Sequence, residues 1–371
     1  MKIGIDARFW HETGVGRYIR NLVLELQRLD SDHEFVLFVK EQSKSEIQKI
    51  VHSKKFTIVP TNIHWHSLEE QIMFSNVLKK EKLDLMHFPY FSVPIFYSGR
   101  FIVTIHDLII HHFATGEATT LPFPLYRMKV EAYKYVISTA SKKAAKIIAV
   151  SEATKNEVMD HLHVQADKVV VTYEGVDHAL ATSQSRLETN YGKYFLHVGN
   201  VYPHKNAQRL VNAFEFIHEK DVKLIFVGKK DYFMNKLEKY VVAKNISNVE
   251  FVGFVSDAEL GMLYKNALAT VVPSLMEGFG LPVLEALANK SLVLASDIPS
   301  LKEVGKDALL YVDAFNITSL SAKMQHIVNA DSKEFENLKL RGLQIVKQYS
   351  WREMTEATVR VYDSCLSVNS R

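Results

Sequence analysis

Short apolar runs rich in β-branched and aromatic residues alternate along the chain with longer segments of helical spacing. In the first half, segments 2–6, 34–39, 56–59, 83–88, 101–106, 146–151 and 169–173 read as strands. Several, such as FIVTI and KIIAV, are almost wholly apolar, the pattern of a parallel strand buried on both faces. Between them, 18–29 and 68–80 carry apolar residues at helical spacing. The polar stretch 177–193, DHALATSQSRLETNYGK, has no strong period and reads as a linker. The alternation then restarts, with strands expected at 194–198, 223–227, 249–254, 269–273, 292–296 and 309–312 and helices at 207–217, 257–265 and 282–288. Two successive β-α alternations predict an α/β protein of two doubly wound, Rossmann-like domains facing across a cleft. The expected bounds are 1–178 for the first, 194–350 for the second, and 351–371 for a C-terminal helix able to cross back to the first. Open parallel sheets bind ligands beyond the carboxyl ends of their strands. The residues that follow each strand therefore carry the functional information.

Composition narrows the class. A chain of 371 residues, 47% hydrophobic and 23% charged, fits a two-domain globular protein. A net charge of +3 lacks the basic excess of a nucleic-acid binder. The single cysteine, Cys365, excludes an internal disulfide framework and a cysteine metal cluster, and fits a reducing cytoplasm. The N-terminus MKIGIDARFW shows no signal-peptide pattern, and no run of about 18 apolar residues suggests a membrane span.

Five strand ends carry candidate chemistry. After the first strand, Gly14 and Gly16, with Val15 between them, precede a helix expected to begin near Arg17. They read either as a cradle for a diphosphate at a helix start or as an ordinary glycine turn. A dinucleotide fingerprint is disfavoured, because its third glycine position is Ile19 and the second strand runs into Lys40 and Glu41 rather than ending on a well-placed acid. The fifth strand ends in His106 and Asp107; the histidine can meet a sugar hydroxyl, or be a structural residue pinned by the aspartate. His87 has the same two readings. In the second half, YFLHVGNVYPHKN delivers His204 and Lys205 just before a helix, where a lysine can meet a phosphate or stand as a surface charge. The most informative segment is VVPSLMEGFGLPVLEALA. Here Glu277 lies on a glycine turn, Glu285 sits early in the helix that follows, and Pro282 is near that helix's first position. Two carboxylates there can accept from vicinal hydroxyls of a hexose or ribose, and the amides within 279–283, other than that of Pro282, offer donors to sugar and phosphate oxygens.

These segments, with TGVGRYIRNL, HFPYFSVP, TIHDL, AVSEATKNEV, YEGVD, VGNVYPHKN and FVGFVSDAEL in order, make the chain resemble the retaining glycosyltransferases of family 4, which have the GT-B fold. The resemblance covers essentially the whole chain, and EGFGLPVLEALA matches that family's pair of glutamates separated by seven residues. It implies that Glu277 contacts the transferred sugar, that Glu285 holds the ribose hydroxyls, and that Phe279, Gly280 and Leu281 make backbone contacts to sugar and diphosphate. It likewise assigns Lys205 to the donor phosphates, Gly16 to a loop over the diphosphate, His106 to the sugar, and Phe254 and Val255 to the base. One position departs: Asn200 stands where relatives often carry an arginine, with His204 or Arg209 as possible replacements for its charge.

The implied activity is transfer of a hexose, mannose as first guess, from a nucleoside-diphosphate sugar to a glycan or polyprenol-linked acceptor in bacterial polysaccharide assembly. Neither metal nor other cofactor is expected, and no nucleic-acid partner. The alternatives are a sugar-nucleotide binding protein without chemistry, a phosphorylase or an epimerase. Segment 121–146 is aromatic and basic, with six Lys or Arg against Glu131 from residue 127 onward. It reads either as a peripheral contact with the inner face of the cell membrane or as a core-packed helix with a solvated basic face.

Overall fold

A computed structural model describes residues 1–371 except 115, 117, 118, 120, 177–190, 332 and 367–371. Most of the expected linker 177–193, the domain boundary at 178 and the last five residues of the expected C-terminal helix thus lie outside the described residues. The chain divides into two compact units: Met1–His111, Pro122–Gly175 and Ser350–Arg371 form unit 1; His112–Leu121 and Val176–Tyr349 form unit 2.

Unit 1 is built on strands β1 (Lys2–Asp6), β2 (Glu34–Lys40), β3 (Phe56–Thr61), β4 (Leu85–Phe88), β5 (Phe101–Ile105), β6 (Lys146–Ala149) and β7 (Val169–Val171). They pair in the order β3-β2-β1-β4-β5-β6-β7. Every pairing is parallel. The central runs are buried on both faces, as their continuous apolar sequence requires. Helix α1 (Gly14–Arg28) presents Tyr18, Ile19, Leu22, Val23 and Leu26 to the interior at i, i+3 and i+4 spacing. It begins at Gly14 rather than near Arg17. A Cβ on Gly16 would stand 2.7 Å from the Trp10 carbonyl oxygen and 2.8 Å from that of Phe9. This glycine therefore serves close packing of the helix start, not a turn ahead of it. Further helices are α2 (Lys44–Ile50), α3 (Ser75–Lys80), α4 (Phe123–Lys143) and α5 (Glu152–Leu162), besides a single turn at Ile109–His112; α5 is capped by Ser151, whose Oγ accepts from the Thr154 amide. A π-helical turn, Glu70–Phe74, leads into α3.

Unit 2 repeats the scheme with β8 (Lys193–Val198), β9 (Val222–Val227), β10 (Val249–Gly253), β11 (Ala269–Val272), β12 (Val293–Ser296) and β13 (Leu310–Val312), paired β10-β9-β8-β11-β12-β13. These pairings are parallel too. Helices α6 (Ala207–Phe214), α7 (Tyr232–Ala243), α8 (Asp257–Asn266), α9 (Leu281–Ala288), α10 (Pro299–Gly305), α11 (Ile317–Asn329) and α12 (Glu336–Val346) connect or cover them. Their starts are locally encoded. Asp231 caps α7, Asn316 caps α11, and Ser256 with Glu259 forms a reciprocal capping box on α8. Prolines 282 and 299 occupy the first turns of α9 and α10, where no amide partner is needed.

The chain's last helix, α13 (Trp351–Leu366), belongs to unit 1. Trp351, Met354, Thr358, Val361, Tyr362 and Cys365 form its buried face, and it packs against α1, β4 and β6. Polar ties fix it: Tyr362 Oη lies 2.8 Å from His87 Nδ1, His33 Nε2 lies 2.9 Å from Asp363 Oδ1, and Arg100 donates to the Cys365 carbonyl. His87 also meets Thr104 Oγ1 at 2.8 Å and is wholly buried, which pushes its pKa down to about 3. Of its two readings, the structural one holds.

The junction entering α13 is tight. A Cβ on Gly175 would stand 2.1 Å from the Trp351 amide nitrogen, a backbone atom with nowhere to go. Gly175→Ala is expected to lower unfolding free energy by about 1–3 kcal/mol in urea titrations. Gly14→Ala, which meets no atom within 4 Å inside a helical turn, should instead raise it by up to ~1 kcal/mol.

Candidate active site

In unit 2 the residues singled out at the ends of β8, β10 and β11 have clear local causes. Beyond β8, Gly199 takes φ +126° and a 3-10 turn, Pro203–Lys205, brings His204 and Lys205 round to β11. The turn is pinned from both sides: the His204 carbonyl accepts from the Leu275 amide at 2.7 Å, and Asn206 Nδ2 donates to the Pro273 and Ala314 carbonyls. Asn206 itself sits at φ +61°, which an asparagine tolerates. Gly228 completes the floor, since a Cβ there would stand 2.1 Å from the Gly199 oxygen.

This loop places the Lys205 ammonium 2.7 Å from both Glu277 oxygens, and Ser274 Oγ donates to Oε1 at 2.7 Å. Glu277 is 8% exposed and Lys205 18%, so the pair is shielded yet reachable. Burial works against the carboxylate, but the lysine charge and the two donors outweigh it and hold the Glu277 carboxyl below its ordinary range. Glu277 is therefore an anion with a cation at its side, able to exchange partners when a ligand brings its own phosphates and hydroxyls. Ser274 was not anticipated; it lies three residues before Glu277 in the same turn.

After Glu277 the chain enters α9 through Gly280 at φ +98°, a left-handed position that favours glycine. Phe279 is buried with its ring 5.6 Å from that of Tyr349, which fixes the turn, and Leu281 opens the helix. Pro282 has no N–H and the Val283 amide donates to the Gly280 carbonyl at 2.9 Å, so it is the Leu281 amide and the helix dipole that favour an anion there. Glu285, one turn on, is 4% exposed, and its Oε2 accepts from Tyr264 Oη at 2.7 Å. Tyr264, on α8, is a residue the sequence reading did not single out. Phe254, just beyond the β10 end, is 89% exposed, with Val255 half-buried beside it.

Of the two substitutes considered for the charge absent at Asn200, only Arg209 carries one. Burial and the neighbouring Lys205 push His204 down to about 4, so it is neutral at pH 7. Arg209 donates to Asn206 Oδ1 at 2.9 Å and lies over the Phe315 ring. Asn200 keeps its Oδ1 buried without a hydrogen-bond partner among the described residues.

In unit 1, Gly14 is exposed, Val15 half-buried and Gly16 buried, all within the first turn of α1. Two residues on, the Tyr18 ring meets His106 edge-on at 5.0 Å. His106 is held by two acceptors: Nδ1 lies 3.0 Å from Glu174 Oε1 and Nε2 lies 2.9 Å from the Pro89 carbonyl. Burial alone would strip its extra proton; the carboxylate and the carbonyl prevail and raise its pKa. Both ring nitrogens face oxygen acceptors, an arrangement that favours the protonated ring. Its carboxylate hydrogen-bond partner is Glu174, within YEGVD; the adjacent Asp107, whose Oδ1 accepts from the Ile109 amide, acts on the ring through its charge.

The Lys205–Glu277 pair has a signature in acid. Because the folded-state carboxyl is depressed, its stabilisation is complete above the ordinary value of 4.5 and is lost as pH falls through the lower folded value. Wild-type protein is therefore expected to lose stability on acidification below about pH 4.5, and Glu277→Gln to lack that component. At neutral pH, Lys205→Met should cost about 3 kcal/mol by leaving a buried carboxylate alone. Urea midpoints measured across pH test both, and parallel acid slopes for wild type and Glu277→Gln would remove the pair from the stability account.

Comparison with known proteins gives the family and the fold. The family model described as "Glycosyltransferase Family 4" matches residues 13–180, and that described as "Glycosyl transferases group 1" matches residues 181–342. O-antigen chain mannosyltransferase B of Escherichia coli is 26% identical over 380 residues, spanning 94% of this chain and 96% of the relative. Among solved structures, sucrose-phosphate synthase from Thermosynechococcus elongatus superposes with a TM-score of 0.82 at 20% identity, over 100% of both chains. Anabaena HepE in complex with UDP-glucose does so with a TM-score of 0.76 at 16% identity, over 98% of this chain and 100% of the other. Two adjoining family matches, a relative aligned along nearly its whole length, and the paired parallel sheets agree: the chain belongs to glycosyltransferase family 4 and has the GT-B fold.

Proposed function

We propose that this glycosyltransferase moves mannose from GDP-mannose to a glycan or polyprenol-linked glycan acceptor in bacterial polysaccharide assembly, with retention of anomeric configuration. The observation that carries the reading is the Lys205–Glu277 pair, set beside the amide that opens α9. Departure of a nucleoside diphosphate builds negative charge on its β-phosphate. Lys205 and the Leu281 amide supply donors for that charge, and electrostatic stabilisation of this kind is the main source of rate in such chemistry. Glu277, released from Lys205 by the phosphate, accepts from hydroxyls of the transferred sugar. Glu285, oriented by Tyr264, takes the ribose hydroxyls, and the exposed Phe254 ring lies against the base. Same-face attack, with the leaving phosphate accepting the acceptor's proton, fits retention without a carboxylate nucleophile. Mannose is supported by the full-length likeness to a mannosyltransferase.

The donor is tested by thermal shift against UDP-, GDP-, ADP- and dTDP-sugars, since a ligand of the folded state raises its melting temperature. GDP-mannose should give the largest shift. Lys205→Ala should then lower turnover on the order of 10²–10³-fold. Transfer should persist in excess chelator, because the residues named do the work a metal would do. A change of under a few-fold in Lys205→Ala would refute the role given to that lysine.

Among the described residues no helix is long and apolar enough to cross a membrane. The helix α4 buries Tyr126, Val130, Ile137 and Ala140 on one side and exposes Phe123, Leu125, Met128 and Tyr135 beside Arg127 and Lys129 on the other. Apolar rings beside cations suit an anionic bilayer surface, which supports placement at the cytoplasmic face of the cell membrane. Flotation with anionic liposomes is expected at low salt and should weaken at high salt. Leu125→Ser with Met128→Ser should abolish it without loss of fold.

A further inference from the structure

The carboxyl ends of β2 and β3 take no part in the donor machinery proposed above, yet they border a half-open cavity of about 500 Å³. It is lined by Lys40, Glu41, Gln42, Asn62, Ile63 and His64. That volume falls within the range of small-molecule sites, roughly 300–1,000 Å³. The position is also the one at which open parallel sheets receive ligands.

The walls are held in place before any ligand arrives. Arg8, wholly buried on the Phe74 ring, pairs with Asp6 and with Glu70 at 2.6 Å and donates to the Ile63 carbonyl at 3.3 Å. Glu70 in turn accepts from the His66 amide and the Ser92 hydroxyl. The loop carrying Asn62 and His64 is thus clamped to the end of β1. Trp65, the next residue, packs on Phe9 at 4.5 Å and takes the Lys40 ammonium over its ring at 3.6 Å. The indole steadies that cation, on which Glu12 acts only through its charge, with no ion pair among the described residues, so its N–H donors stay available to a ligand. The Glu41, Gln42 and Asn62 side chains are exposed and form no hydrogen bond among the described residues.

The chemistry selects the ligand class. Two neutral amides and the His64 ring can each donate and accept, one ammonium only donates, and one carboxylate only accepts. Neutral sugar hydroxyls, which do both, match such a lining. A phosphate or nucleotide would face Glu41 with a single cation to offset it. We propose that this cavity is a subsite for a neutral hexose unit of the acceptor glycan, a unit other than the one being glycosylated; the assignment rests on the transferase reading above.

Saturation-transfer NMR with mannobiose, lactose and chitobiose tests the site without requiring catalysis. Wild-type protein should saturate at least one of them. Asn62→Ala combined with Gln42→Ala should weaken that disaccharide about tenfold or more, with an unchanged melting temperature and an unchanged thermal shift from nucleotide sugar. In transfer assays the same variant should raise the acceptor KM by a similar factor and leave donor hydrolysis alone. Equal affinity in variant and wild type, or no disaccharide bound by the wild type, overturns the proposal. If nucleotide sugars give no thermal shift while disaccharide binding still depends on Asn62 and Gln42, the donor reading fails and the subsite stands.

Discussion

Parallel pairing is the constraint on which both halves of this protein depend. A parallel strand cannot be followed by a tight hairpin, so each one ends at the same edge of its sheet and its chain leaves over that edge. Chemistry in such a sheet collects on one side for topological reasons, whatever the residues are. In unit 2 this brings Gly199, Gly228, Gly253 and Pro273 to one edge, each closing a strand with a turn rather than a hairpin. Lys205 and Glu277, 72 residues apart in sequence, meet there. In unit 1 the same edge gathers His106, Glu174, the start of α1 and the cavity beside Lys40.

Charge is handled differently at the two edges. The Lys205–Glu277 pair is shielded but not sealed, and the hydrogen bonds it makes are ones a sugar diphosphate could replace. The Arg8 cluster is sealed: its guanidinium and both carboxylates are buried, and Glu70 takes donors from Arg8, Ser92 and the His66 amide. A buried charge this well satisfied holds loops still, and a network that is only partly satisfied would be costly. The first arrangement suits exchange with a ligand and the second suits support of one.

The strands were legible from sequence because a parallel strand buried on two faces is nearly continuous in apolar residues, as in FVLFV, FIVTI and KIIA. Their bounds differ from expectation by a residue or two at either end: β3 runs on to Thr61, β4 begins at Leu85, and β6 stops at Ala149. The start of α1 was misread, since glycine signals a turn while here it permits close backbone packing on Phe9 and Trp10. Glu277 and Lys205 stood out through their turns. The partners of other residues did not, because they come from distant elements: Glu174 lies 68 residues from His106, and Tyr264 lies 21 residues from Glu285 on a different helix. Local pattern identifies which side chains reach the edge; it does not say which neighbours will orient them.

Helix α13 has a consequence for how the chain is made. Unit 1 draws one of its core-facing helices from residues 351 to 366, after all of unit 2 has been synthesised. Emerging from the ribosome, the first seven strands must wait with the sites for Tyr362, Trp351 and Met354 unfilled, and with His87 short of one hydrogen bond. Unit 2, contiguous through most of its length, can finish first. The half that begins the chain is thereby the last to become whole, and truncation after Tyr349 would injure the N-terminal sheet, not the domain it appears to shorten.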